Sequence, residues 1–252
     1  RKGDISAHLA AFRQDLRAAH NPERAANEKR YLKSPYKFFG VTVPFTDRLA
    51  RDFRKTHKDA SREEIFALAE ALWSSEYHQE KTLAIKLLEK YPHHLDIRSM
   101  PLIERMLSEC TGWDHVDGIA IHLVDAVLRK DDGAFAYLTK WSKSENFWMR
   151  RAALISQILL FREGRGDRQL FFGLAEAMIR EKEFFIRKAI GWTVRELSKA
   201  DPQAACDFLL RVKDRASGLT LREGAKRLPG EMKKRVMNAP RLPIGSSGGE
   251  VL

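Results

Sequence analysis

"EKTLAIKLLEK" (Glu80–Lys90) returns about 35 residues later as "VDGIAIHLVDA" (Val116–Ala126), then as "RRAALISQILL" (Arg150–Leu160) and "RKAIGWTVREL" (Arg187–Leu197). In each, apolar residues recur at the three-and-four spacing of a helix, and none alternates as a strand does. Capping signals set these segments in register with a second series. Helices of a first type open near Ser61, Asp96, Asp132, Asp167 and Asp201, and those of a second type near Tyr77, Gly112, Phe147 and Glu183. Ser61 with Glu64 forms a capping box, and Asp201 puts Pro202 at the first helical position. Two interleaved series with one period of about 35 residues describe helical hairpins, each burying its apolar stripe against the next. The expected fold is all-α, an α-solenoid.

The flanks read differently. Asp4–Ala19 and Pro22–Lys33 have helical periodicity, and "YLKSPYKFFGVTVPF" (Tyr31–Phe45) is a turn-rich connector built on Pro35, Gly40 and Pro44. After Met237, "NAPRLPIGSSGGEVL" has proline, glycine and serine but no apolar period. The expected organisation is a single domain over residues 1–237 with a disordered C-terminal tail over 238–252.

Across 252 residues, hydrophobic types at 44% and charged types at 31% describe a soluble globular chain or helical array. No apolar run approaches the roughly 18 to 20 residues that span a bilayer, and "RKGDISAHLAAF" lacks the apolar centre of a secretion signal. A cytoplasmic protein is expected. Cys110 and Cys206 are too few and too distant for a disulfide framework or a thiolate metal site. His93 and His94 are adjacent, which on a helix turns them about 100° apart, so no metal is expected. The 45 basic against 34 acidic residues leave a net charge of +11, which attracts polyanions: nucleic acid first, an anionic membrane second.

Aligned as a column, the second helices show Lys81, Asp117, Arg151 and Lys188, so Asp117 is a lone acid among bases. Trp113 lies one turn before it on the same side. Asp114 needs no more than the stabilisation an acid gives to a first helical turn. For Asp117 a surface salt bridge to Arg151 is the plain alternative. Tryptophans such as Trp113, Trp148 and Trp192 are usually core, but three on successive second helices among Arg150, Arg151, Arg187 and Lys188 also suit stacking and a phosphate track. The chemistry that uses an acid, indoles and bases together is cleavage of an N-glycosidic bond in DNA. A fixed carboxylate stabilises the oxocarbenium character of the sugar, and an aromatic face holds a cationic base.

"GWDHVDGIA" (Gly112–Ala120), "FWMRRAALI" (Phe147–Ile155) and "EFFIRKAIGWTVRE" (Glu183–Glu196) resemble segments of the bacterial DNA alkylation-repair glycosylases built of HEAT-like repeats, in particular the AlkD type. "YLKSPYKFFGVTVP" also resembles the N-terminal stretch of that family, and the similarity runs from about residue 5 to about residue 230. The resemblance implies a right-handed α-solenoid of HEAT-like helical hairpins with a concave basic face. It implies a monofunctional glycosylase that excises cationic N3- and N7-alkylated purines from double-stranded DNA, as a monomer without cofactor. On matching positions, Asp117 would be the catalytic carboxylate, Trp113 and Trp192 the aromatic walls at the lesion, and Arg151 a phosphate contact. Tyr31 falls where the family has a tyrosine near the DNA, whereas Thr42 stands where a glutamine is common. The rival expectation is a non-catalytic α-solenoid that binds nucleic acid or protein, which accounts for period and charge but not for a lone acid flanked by tryptophans.

Overall fold

The computed structural model describes residues 2–240. Among them the protein is all-helical, and its one extended pairing is an isolated parallel bridge between Lys37 and Tyr77. The helix starts fall where the capping pattern puts them. Ser61 caps Arg62–Trp73 with its capping box, Asp96 caps Ile97–Ser99, Asp167 caps Arg168–Ala177 and Asp201 caps Pro202–Val212. Asp132 opens the short Asp132–Ala134 turn. In the second series, Tyr77, Gly112, Asn146 and Glu183 immediately precede His78–Glu89, Trp113–Gly118, Phe147–Ile155 and Phe184–Leu197.

The helices gather into two compact units, one ending at Ala134 and the other beginning at Phe135. In the first unit, His78–Glu89 packs on both Arg62–Trp73 and Val43–Thr56. Leu83, Ala84, Leu87 and Leu88 on that helix are buried, and each such leucine contributes roughly 1.5–3 kcal/mol by leaving water. The connector after Pro22–Leu32 folds back on the start of that helix. Gly40 is required there: at φ 71°, any Cβ would lie 2.2 Å from the Asn21 carbonyl oxygen and 2.6 Å from the Ala25 nitrogen. The connector ends sooner than its proline content suggests, because Pro44 sits in the first turn of Val43–Thr56. Thr42 caps that helix by accepting from the Phe45 amide at 3.3 Å.

In the second unit, Phe184–Leu197 rests directly on Gly218–Ala225. The contact is close because Gly191 has no side chain: a Cβ would stand 2.6 Å from Glu223 Cβ and 3.0 Å from the Thr220 oxygen.

Two of the second helices are not the continuous α-helices their periodicity describes. The helix from Trp113 widens to a π-helix over Ile119–Val124 and returns to α over Asp125–Leu128. The helix from Phe147 breaks at Ser156 and Gln157 before resuming as Ile158–Arg162. Ser156 Oγ donates back to the Ala152 oxygen at 2.6 Å, and Gln157 leaves the helix to hold both backbone groups of Asp167. Gly230–Asn238 runs into the start of the expected tail; residues 241–252 lie outside the described residues. No helix among the described residues is long and apolar enough to cross a membrane.

Candidate active site

The turn carrying Trp113 and Asp117 is fixed from beneath. Gly112 is its N-cap residue, and it offers no side chain to the first amides. The two residues that follow Trp113 make tertiary contacts instead. Asp114 Oδ2 lies 2.6 Å from His78 Nε2, and His115 Nε2 lies 2.9 Å from Thr82 Oγ1. The His78 ring is stacked between Phe38, at 4.5 Å, and His115, at 4.1 Å. Asp114 is therefore more than a first-turn acid: it ties this helix to His78–Glu89. Burial pushes its carboxyl up, but the hydrogen bond to His78 and the nearby imidazoles outweigh that and hold it below the usual carboxylate range. His115 is buried, and desolvation together with neighbouring His78 takes it down to about 3, so it is neutral near pH 7.

With Asp114 and His115 anchored, the turn that carries Trp113 and Asp117 is held in place. Trp113 is 36% exposed and Asp117 is half-buried, so neither is sealed in the core. Trp113 and Tyr31, the latter 75% exposed, line a hollow of about 380 Å³ closed by Thr42, Ile85, Gly118 and His122. Lys81 departs from the expected surface column. It is buried, donates to the Trp73 carbonyl, and lies 4.7 Å and 4.8 Å from the Tyr36 and Trp73 ring centres, with its ammonium pushed down by desolvation. Its aliphatic stem lets the charge end in an aromatic cage instead of solvent.

The second unit brings Arg151 and Trp192 together. Arg151 is buried, its guanidinium lies 5.7 Å and 5.8 Å from the Phe185 and Trp192 rings, and its Nη1 donates to the Phe185 carbonyl at 2.8 Å. Trp192 is half-buried. Trp148, also half-buried, packs on Phe147 and Phe185 at 4.4 Å and 4.7 Å. The remaining bases have partners. Arg150 makes a two-pronged contact with Glu181, both bonds at 2.9 Å, and reaches the Ser144 and Glu145 carbonyls. Arg187 donates to the Glu181 carbonyl at 2.8 Å, and Lys188 pairs with Glu223 at 2.9 Å.

His78 is the residue the column alignment could have found. It stands 36 positions before Asp114, one repeat back, as Lys81 stands before Asp117. The π-segment has no comparable signal in the sequence.

A family model described as DNA alkylation repair enzyme matches residues 12–228. The chain belongs to that family. Among curated proteins none matches it. A structure described as a predicted DNA alkylation repair enzyme from Enterococcus faecalis is 25% identical, covering 84% of this chain and 97% of that one with a TM-score of 0.74. AlkD2 from Streptococcus mutans is 19% identical over 75% of this chain and 92% of its own, with a TM-score of 0.55. The protein smu.31 from Streptococcus mutans UA159 is also 19% identical, over 74% and 99%, with a TM-score of 0.52. Those last two likenesses speak for the fold, a helical-repeat array shared with the AlkD type.

Proposed function

We propose that the protein is a monofunctional DNA glycosylase that hydrolyses the N-glycosidic bond of cationic N3- and N7-alkylated purines in duplex DNA. The observation that carries this reading is the anchored turn: an exposed indole and a half-buried carboxylate one helical turn apart, on a helix tied down by Asp114 and His115. Membership of a DNA alkylation repair family supports it.

Asp117 is the catalytic carboxylate. As the bond from C1′ to the base nitrogen breaks, its electron pair stays on the purine and cancels the positive charge, so no proton donor is needed. The sugar acquires the positive character instead, and the fixed carboxylate stabilises it and orients the attacking water, accepting its proton. Trp113, on the same turn as Asp117, offers a ring face to the cationic base. A basic face of the second unit receives the duplex, Lys188 meeting phosphate, while Arg151, expected at a phosphate but buried with Nη1 on the Phe185 carbonyl, and Arg150 and Arg187, whose donors are also engaged, add charge more than hydrogen bonds. The protein works as a cytoplasmic monomer and requires no cofactor.

The test is to incubate methylated DNA with the wild type and with Asp117→Asn, and to analyse the released bases. Release of 3-methyladenine or 7-methylguanine by the wild type, with at least about a hundredfold less from Asp117→Asn, is expected. Tight DNA binding without release by either protein would leave the non-catalytic scaffold as the correct reading.

A further inference from the structure

Between Gly218 and Pro240 six bases stand against two acids, a surplus of four out of the chain's net +11. The two helices of this stretch, Gly218–Ala225 and Gly230–Asn238, pack on one another. Each buries one side only: Thr220, Leu221, Gly224 and Ala225 on the first, Val236 on the second. The bases are left outside. Arg222, Lys226 and Arg227 are exposed, as are Lys233, Lys234 and Arg235. Lys234 pairs with Glu231 at 2.9 Å, and the other five make no ion pair or side-chain hydrogen bond among the described residues.

The helices before them are different, since Arg150 is paired with Glu181 and Lys188 with Glu223. Leaving the later bases unpaired costs stability. Arg222 and Lys226 lie one turn apart on the exposed side of one helix, where like charges repel. The acid between them in sequence, Glu223, is already shared by Lys188 and Arg195, both at 2.9 Å. That sharing also makes the surplus continuous with Lys188. A surface that served solubility alone would intersperse the two signs. Uncompensated bases on packed helices suit a polyanion instead, and duplex DNA offers one phosphate charge per about 1.7 Å of axis.

We propose that these two helices extend the duplex-binding face past Lys188 and grip backbone phosphates without reading bases. The proposal rests on duplex DNA as the substrate and goes beyond that reading: phosphates carry no record of the lesion, so this surface holds undamaged and damaged duplex alike. Its unpaired ammonium and guanidinium groups break no ion pair in order to bind. Lys233, Lys234 and Arg235 lie beyond residue 228, where the match to the family ends.

Fluorescence anisotropy with an undamaged duplex over a range of salt tests this, comparing the full chain with a variant carrying Arg227→Ala, Lys233→Ala and Arg235→Ala together. The slope of log affinity against log salt is expected to fall by about two units or more, since each lost phosphate contact removes about 0.9. All three side chains are exposed, so the denaturation midpoint should stay at the wild-type value. Single-turnover base release from methylated DNA at saturating protein should also match the wild type, because none of the three belongs to the turn that carries Asp117. A smaller fall in slope overturns the proposal, as does absence of duplex binding by the wild type. Wild-type binding to phosphatidylglycerol vesicles that is tighter than to the duplex, and lost in the variant, overturns it too and makes the surface a membrane contact. Failure of the glycosylase reading shows up separately, as absence of base release by a wild type whose salt slope on undamaged duplex still depends on the three bases.

Discussion

Asp117 and Trp113 depend on Asp114 and His115 between them, and His115 makes that dependence measurable. Its imidazole is neutral in the folded state down to about pH 3, whereas in the unfolded chain it takes up a proton near the ordinary value of 6.5. Between those limits the unfolded state binds more protons, so stability rises with pH across the window and falls as acid is added. One such group changes unfolding free energy by about 1.4 kcal/mol per pH unit inside the window. Asp114 acts in the same direction only at lower pH: its depressed pKa stabilises the fold above the ordinary value of 3.8, and this is lost as pH falls through the folded value. Denaturant unfolding measured from pH 7 to pH 4.5 should therefore show a decline that flattens in His115→Gln, since an amide does not titrate. An equal decline in both proteins would place the acid sensitivity elsewhere.

At the scale of helices, the sites of close approach set the penalties. Gly191 stands immediately before Trp192, where Phe184–Leu197 touches Gly218–Ala225, and a methyl group there would meet Glu223 Cβ at 2.6 Å. Gly191→Ala is expected to cost about 1–3 kcal/mol, seen as a lower denaturation midpoint, even though alanine favours an isolated helix. Ser61→Ala, which removes one half of a capping box, should cost about 0.5–2 kcal/mol. These two positions also illustrate what the sequence conveys. The capping box is local chemistry, and it was legible from Ser61 and Glu64 alone, as were the starts at Asp167 and Asp201. Helix interiors were less so. The π-segment at Ile119–Val124 and the break at Gln157 keep the apolar period while changing the backbone, and the break depends on Asp167, ten residues away. In the site, Trp113 and Asp117 were legible as a pair on one helix face. Burial of Lys81 was not, because the aromatic cage around it comes from Tyr36 and Trp73 on other segments.

For the molecule as a whole the question is how many of its surplus positive charges reach DNA. A phosphate-binding face loses affinity with salt in proportion to the phosphates it neutralises, since each releases a counterion, so the net charge of +11 does not by itself set the slope. The structure distinguishes the bases that can take part. Lys188 is paired with Glu223, yet its side chain is 38% exposed and its ammonium is free to turn, so exchanging the carboxylate for a phosphate costs little. Arg150 is locked flat against Glu181 with two bonds and against two carbonyls with a third nitrogen, so reaching DNA would leave the Glu181 carboxylate unpaired. Lys188→Ala is expected to lower the slope of log affinity against log salt by about one unit and to leave the denaturation midpoint nearly unchanged. Arg150→Ala should do the reverse, with a slope change under about half a unit and a clear drop in midpoint. Measuring both by fluorescence anisotropy on one duplex, with unfolding monitored in parallel, decides between them. If Arg150 moves the slope as much as Lys188 does, the Glu181 pair opens on binding and the basic face is rearranged by DNA instead of meeting it preformed.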